Sequence, residues 1–264
     1  MRLTWSSDIH LNHASMGACD DWIEQVKRSA SDGLILTGDI SEADDVAFQL
    51  ARIAESFNRP IYFVLGNHDF YGASIAYTRR RVTACATQVE PLCYLTEQDP
   101  IELEPGSFLT GEDGWGDARE GDFAGSPVRL ADFLKIKDFR RVDPISWPRL
   151  MQEQGDESAE RLGGKLDGVS GTAKQIVVAT HVPPFRESCW YEGRTADDFW
   201  APFFVCAQVG KVLRRFALRH PRIEITVLCG HTHHGGVAQI GDNLKVLTAS
   251  ADYGRPAIER VLEL

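Results

Sequence analysis

The sequence predicts an α/β fold based on a largely parallel sheet, and three features support this prediction. Short β-rich runs alternate with amphipathic stretches in the first third of the chain, which is the pattern of βαβ units. The chain has 264 residues, of which 43% are hydrophobic and 25% charged, as in globular proteins with a substantial core. The tail alternates in shorter runs, which predict antiparallel strands closing a second sheet. We expect one elaborated domain over residues 1–264.

The first third contains three predicted strands, at residues 3–6, 34–37 and 61–65, with a helix between each pair. Apolar residues recur at helical spacing in both intervening segments, namely Ile23, Val26 and Ala30 in the first, and Val46, Leu50, Ile53 and Phe57 in the second. Ser41, followed three residues later by Asp44, predicts a capping box that opens the second helix. Both apolar stripes are expected to face the core.

Residues 104–171 are predicted to form a loop-rich insertion, because Gly, Asp and Pro are frequent there. Irregular helix is expected near residues 130–139 and 144–165. Loops of this length inside a compact domain are usually functional lids or solvated insertions. Regular structure is predicted to return with strands at 175–179 and 223–228, a helix at 204–219, and tail strands at 237–240, 244–247 and 258–262.

Composition argues against several classes of protein. The 28 basic and 38 acidic residues give a formal net charge of −10, and such a surface repels phosphate backbones, which disfavours a general nucleic-acid binder. None of the six cysteines forms a Cys-x-x-Cys pair, which argues against a disulfide scaffold or zinc ribbon. No apolar run approaches the roughly 20 residues of a membrane span, and the chain turns polar too early for a signal peptide. We therefore expect a cytoplasmic protein without a membrane partner, whose oligomeric state is left open.

Five short polar segments each follow a predicted strand, where ligands collect in open α/β sheets. They are Asp8-Ile9-His10, Gly38-Asp39, Gly66-Asn67-His68-Asp69, His181 and Gly230-His231-Thr232-His233. Residues two apart in extended backbone project to the same side, so each pair of this spacing can hold one ion. Carboxylate, imidazole and amide donors without a thiolate suit manganese, iron or zinc. Seven candidate ligands are too many for one ion with an open position, so we predict two metals bridged by Asp39.

Taken in order, these segments resemble the calcineurin-like metallophosphoesterase superfamily, and the resemblance spans Asp8 to His233. It implies a four-layer αββα sandwich of two mixed β-sheets, with a dinuclear metal site at the strand ends between the sheets. It also implies two ligand sets that share one carboxylate: Asp8, His10, Asp39 and His233 for the first metal, and Asp39, Asn67, His181 and His231 for the second.

The resemblance further implies a hydroxide bridging two divalent ions as the nucleophile. His68, which binds no metal in this scheme, is expected to contact phosphoryl oxygens and to protonate the leaving group. His68 and the bridging Asp39 are therefore the expected catalytic residues. Asp69 is expected to orient His68 or to close its turn.

The implied activity is metal-dependent hydrolysis of phosphomonoester or phosphodiester bonds. The acidic charge and compact size favour a small phosphoester or nucleotide as the substrate over nucleic acid. One alternative is a phosphoprotein (Ser/Thr) phosphatase of the same superfamily. Another is a catalytically silent protein-interaction scaffold, which is disfavoured because every ligand type and His68 are present.

Several residues near the motifs have two interpretations each. The loop after His181 could recognise a phosphate and a planar ring, or could pack on its own aromatic side chains; it contains Arg186, Trp190, Tyr191 and Arg194. His13 and His234 could contact substrate, or could support neighbouring ligands or face solvent. Simpler roles are expected elsewhere, with packing for Tyr71 and Trp115, and a solvated helix face for Arg79, Arg80 and Arg81.

Overall fold

Two mixed β-sheets lie face to face, and helices cover the outer face of each in this computed structural model, which describes residues 1–264. In chain order the strands are β1 (Arg2–Ser6), β2 (Gly33–Thr37), β3 (Ile61–Val64), β4 (Leu92–Tyr94), β5 (Ile101–Glu104), β6 (Ser107–Glu112), β7 (Gln175–Thr180), β8 (Trp190–Tyr191), β9 (Arg194–Thr195), β10 (Glu224–Cys229), β11 (Gly236–Gly241), β12 (Leu244–Thr248) and β13 (Arg260–Glu263). The helices are α1 (Met16–Arg28), α2 (Val46–Phe57), α3 (Ile75–Gln88), α4 (Asp132–Lys135), α5 (Lys137–Arg140), α6 (Trp147–Val169), α7 (Ala201–Phe204) and α8 (Ala207–Arg219).

Each sheet has a parallel centre and at least one antiparallel edge. The first sheet has the order β13-β1-β2-β3-β4, in which only β13 is antiparallel to its neighbour. The second has the order β11-β12-β10-β7-β6-β5, with antiparallel pairs at both edges. Strands β8 and β9 form a separate hairpin. The predicted four-layer sandwich of two mixed sheets is confirmed.

Three apolar clusters hold the layers together. One packs α1, α2 and α3 against the outer face of the first sheet, and another packs α6 and α8 against the outer face of the second. The third lies between the sheets, where Trp5 and Ile35 of the first face Val177 and Leu228 of the second. Because both faces of the central strands are covered, these strands are continuously apolar.

The loops after β1, β2, β3, β7 and β10 meet at one end of the sandwich. Within the first sheet, the Asp8 N–H donates to the Gly38 carbonyl at 3.0 Å. Within the second, the Gly230 N–H donates to the His181 carbonyl at 2.9 Å. The His231 N–H crosses between the sheets to the Asp8 carboxylate at 2.9 Å. All five motif segments are therefore brought to one place.

The start of α1 and the predicted capping box differ from expectation. Helix α1 begins at Met16, earlier than predicted, because the Ser15 hydroxyl accepts the Ala18 N–H as an N-cap. The capping-box prediction is wrong, since α2 begins only at Val46 and the Ser41 hydroxyl donates to the Asp45 carboxylate instead.

The loop-rich prediction for residues 104–171 is wrong at β6, an interior strand of the second sheet. The helix expected near residues 144–165 is present, but it is the regular 23-residue helix α6 and not an irregular one. The last tail strand, β13, pairs with β1 in the first sheet and not in the second. None of the helices is both long enough and apolar enough to cross a lipid bilayer.

Candidate metal centre

The predicted ligands lie in loops with unusual backbone geometry. Nine residues other than glycine have a positive φ, and five of them are predicted ligands: Asp8, His10, Asp39, His231 and His233. The extended backbone expected for the pairs Asp8/His10 and His231/His233 is therefore wrong, because all four residues have left-handed backbone conformations. Such conformations are costly for non-glycine residues and cluster at functional sites.

Four of the predicted ligands form one tight cluster. Asp8, His10, Asp39 and His233 each offer one ligand atom, and these atoms all lie within 4.8 Å of one another. His10 Nε2 is 3.1 Å from His233 Nε2 and 3.6 Å from Asp39 Oδ2, and His233 Nε2 is 3.4 Å from Asp8 Oδ1. This is the set that the resemblance implies for the first metal.

The other predicted ligands lie on the opposite side of Asp39. His181 Nε2 is 3.4 Å from Asp39 Oδ1 and 3.1 Å from Asn67 Oδ1. The rings of His181 and His231 have centroids 4.9 Å apart. The two carboxylate oxygens of Asp39 thus face different histidines, with Oδ2 toward His10 and Oδ1 toward His181.

Hydrogen bonds to the backbone orient two of these imidazoles. His181 Nδ1 donates to the Thr37 carbonyl at 2.8 Å, which leaves Nε2 free to face Asn67 and Asp39. His231 Nε2 lies 3.1 Å from the Phe203 carbonyl, so Nδ1 is the nitrogen available to a ligand. A second partner that fixes the tautomer is typical of metal-binding histidines.

The charges and pKa values fit bound cations. Asp8 and Asp39 are buried and pair with histidines but with no lysine or arginine. Burial raises the pKa of Asp39 well above its usual value, and the neighbouring Asp8 adds to this effect. Burial lowers the pKa of His10 and of His231 to about 3, so both rings are neutral. Buried carboxylates among neutral imidazoles are stabilised by a divalent cation.

Two glycines give the metal-binding loops the room they need. Gly38 has a φ of +88°, which favours glycine. A Cβ at Gly66 would lie 2.2 Å from Asp39 Oδ1. A side chain at Gly66 would therefore displace the Asp39 carboxylate, which lies between the His10 and His181 imidazoles.

The sequence model described as calcineurin-like phosphoesterase matches residues 1–235. The chain belongs to this family. It is therefore a metal-dependent phosphoesterase, a hydrolase, as predicted from the ordered motifs. No curated protein sequence matches the chain.

Two solved structures share this fold. The phosphoesterase resembles a phosphopantetheinyl hydrolase of Mycobacterium tuberculosis with a TM-score of 0.70 and 16% identity, over 96% of this chain and 90% of that chain. It also resembles a dimetal phosphatase of Danio rerio with a TM-score of 0.59 and 13% identity, over 95% and 87% of the two chains. At these identities the likeness concerns the fold.

Asp132 joins the site, although nothing in the sequence pointed to it. Its buried carboxylate accepts the Asn67 Nδ2–H at 2.9 Å and the Tyr71 hydroxyl at 2.6 Å. The Asn67 amide is thereby held with Oδ1 toward His181. The expectation that Tyr71 only packs is wrong, because it bonds Asp132 and its ring stacks on His68 at 4.3 Å.

Asp69 closes a turn and binds no candidate ligand side chain. Its carboxylate accepts the backbone N–H groups of Ile40, Ser41 and Gly66 at 2.8–2.9 Å. These bonds tie the loop after β2 to the loop after β3. Of the two roles expected for Asp69, the structure supports closure of the turn.

An open cavity of about 580 Å³ gives access to the candidate ligands. Asp39, His68, Tyr71 and Asp132 line this cavity. It is also lined by His233 and Tyr253, whose ring centroids are 5.0 Å apart. The cavity also includes His13, whose ring centroid is 6.0 Å from that of His10. A phosphoryl group can therefore reach the candidate metal ligands from solvent.

The other residues considered near the motifs have different roles in the structure. Arg186 is held inside its own loop by Asp198 and by the Ala196 carbonyl. His234 packs edge-on against Tyr191, with ring centroids 4.7 Å apart. Arg79 contradicts the prediction of a solvated face, because it is largely buried and bonds Asp113 at 3.0 Å. Trp115 packs in the core, as expected.

Proposed function

We propose that the phosphoesterase hydrolyses monoester or diester bonds of a small phosphorylated molecule or nucleotide, with two divalent cations of manganese, iron or zinc. The first ion would be held by Asp8, His10, Asp39 and His233, and the second by Asp39, Asn67, His181 and His231. When bound, such ions neutralise phosphoryl oxygens and supply an activated water.

The position of Asp39 carries this proposal. Its Oδ2 is 3.6 Å from His10 Nε2, while its Oδ1 is 3.4 Å from His181 Nε2. The backbone N–H of His68 donates to the same Oδ1 at 2.8 Å, which orients the Asp39 carboxylate. One buried carboxylate facing two groups of imidazoles suits a bridge between two cations better than a ligand of a single ion.

His68 is the residue that we assign to substrate contact. Its Nε2 is 4.0 Å from Asp39 Oδ2, and its side chain is 18% exposed, toward the open cavity. Burial lowers the pKa of His68 to about 2, so the ring is neutral and carries one N–H. We propose that this N–H donates to a phosphoryl oxygen, where a positioned donor stabilises the charge that develops in the transition state.

The test uses His68→Ala in protein loaded with manganese, with p-nitrophenyl phosphate and its bis ester as substrates. We expect unchanged metal content and a loss of turnover of roughly 100- to 1000-fold, because His68 contacts substrate and not metal. His220→Ala is the control and should leave turnover unchanged, since it removes a histidine at the end of α8, outside this cavity.

Two outcomes would contradict the proposal. If two metals bind and neither ester is hydrolysed, the protein is not a general phosphoesterase of this kind. If His68→Ala leaves turnover unchanged, His68 has no part in the reaction. A phosphoserine peptide in the same assay separates a small-molecule enzyme from a phosphoprotein phosphatase.

A further inference from the structure

A second cavity, of about 410 Å³, opens beside the candidate metal centre. We call it the aromatic cleft, and it is defined by Trp190, Tyr191, Arg194, Trp200, Phe204 and Thr232. Phe204 and Thr232 line this cleft and also the cavity over the metal ligands. The two spaces are therefore adjacent, and one molecule can occupy both.

The β8–β9 hairpin forms one wall of the aromatic cleft. Glu192 and Gly193, between the two strands, have φ values of 48° and 76°, as in the type I′ turns that best match strand twist. Tyr191 and Arg194 are directly paired across the hairpin. An aromatic ring and a guanidinium group are thereby presented side by side on a short, well-defined element.

Trp200 and Phe204 also line the cleft. The Asp197 carboxylate accepts the backbone N–H of Trp200 at 3.1 Å, which fixes the start of α7. The ring centroid of Phe204 is 5.7 Å from that of Trp200 and 4.4 Å from that of His231. A continuous series of rings therefore leads from the cleft to a candidate metal ligand.

The cleft exposes apolar surface that a ligand would cover. Tyr191 is 57% exposed and Trp200 is 47% exposed, although both lie close to the candidate active site. Arg194 is also exposed and takes part in no ion pair, in contrast to Arg186 of the same loop. Exposed rings beside a free guanidinium suit a flat, polar ring system that stacks on a face and bonds at an edge.

We propose that the aromatic cleft binds the base of a nucleoside phosphate whose phosphoryl group lies at the metal centre. This inference rests on the proposed function, because it assigns a substrate class to the same site. A purely aliphatic substituent would cover the rings but leave the Arg194 guanidinium without a partner. A nucleobase satisfies both features, and stacking of a base on an aromatic side chain contributes about 1–3 kcal/mol.

The test compares ligands that differ only in the base. Isothermal titration calorimetry measures the dissociation constants of AMP, UMP and ribose 5-phosphate on metal-loaded protein that carries His68→Ala, so that hydrolysis does not consume the ligand during the titration. We expect the nucleotides to bind more tightly than ribose 5-phosphate, and Trp200→Ala to weaken nucleotide binding by roughly 5- to 150-fold. The affinity for ribose 5-phosphate should be unchanged.

Two further variants keep the test decisive. Tyr191→Ala removes a second ring that lines the cleft and should also weaken nucleotide binding, even if Trp200→Ala folds poorly. Tyr77→Ala is the matched control, because Tyr77 is 46% exposed on α3 and lies outside the cleft. It should leave every affinity unchanged.

The inference is overturned if the base adds nothing to affinity, or if the cleft variants weaken ribose 5-phosphate as much as the nucleotides. Failure of the proposed hydrolase function would give a different experimental result from failure of the cleft proposal. Base-dependent binding that persists while no phosphoester is hydrolysed would refute the hydrolase activity and leave the aromatic cleft as a nucleotide site. Turnover of simple esters without base-dependent binding would refute the cleft alone.

Discussion

Replacement of Asp132 tests whether a residue outside the predicted ligand set positions a metal ligand. Asp132 accepts hydrogen bonds from Asn67 Nδ2 at 2.9 Å and from the Tyr71 hydroxyl at 2.6 Å. Asp132→Leu removes the acceptor of both bonds and leaves Asn67 Nδ2 with only the Tyr71 hydroxyl, 3.5 Å away, so the Asn67 amide is freer to rotate. Loss of a partner that orients a ligand typically lowers metal affinity by about 10- to 100-fold, and we expect this loss at the second metal.

Tyr71→Phe provides the matched control. It removes the hydrogen bond between Tyr71 and Asp132 but keeps the one between Asn67 and Asp132. Manganese affinity of both variants and of the unchanged protein can be measured by calorimetric titration of metal-free samples. The unfolding free energy in urea separates a general loss of stability from a loss of metal binding. If Asp132→Leu binds both metals as tightly as the unchanged protein, the positioning role of Asp132 is wrong.

Two further predictions concern the buried pair of Glu112 and Lys165, in which Glu112 is the last residue of β6 and pairs with Thr180 of β7. Lys165→Met should lower the unfolding free energy in urea by about 3–5 kcal/mol, because Lys165 Nζ donates to Glu112 and to three backbone carbonyls; a loss below about 1 kcal/mol would contradict this. Burial raises the pKa of Glu112 from 4.5 to about 7, against the effect of Lys165 and Arg161. The folded protein therefore binds a proton on Glu112 more tightly than the unfolded chain does. The contribution of this protonation to the unfolding free energy is complete below pH 4.5 and is lost as pH rises through about 7. The stability difference between the unchanged protein and Glu112→Gln should shrink by up to about 3 kcal/mol between pH 4.5 and 7, and a difference independent of pH would refute this assignment.

The sequence was most informative where local pattern and chemistry agree. Strands β1, β2 and β3 lie within about one residue of their predicted limits, because buried parallel strands are short apolar runs between amphipathic helices. The motif segments were recognisable because each follows such a strand. The reason given for the convergence of Asp8 with His10 was nevertheless wrong, since left-handed turns cannot be deduced from spacing alone.

The elements that escaped prediction depend on distant contacts. Strand β6 contains Gly111 and Glu112, which are typical of loops, and it forms because it pairs with β7 and because Lys165 neutralises the buried glutamate. Asp132 is one acid among many in a poorly patterned segment. Its role depends on Asn67, which lies 65 positions earlier in the chain.

The pairing of β13 with β1 has a consequence for synthesis of the protein on the ribosome. Arg2 pairs with Glu263, so one edge of β1 stays open until residue 263 has emerged. Asp8 and His10 follow β1 directly, whereas His231 and His233 are translated more than 220 residues later. Since contacts between distant residues form slowly, we propose that residues 1–264 fold as one domain only after residue 263 has been translated. The nascent chain would then acquire a complete metal centre only at the end of folding.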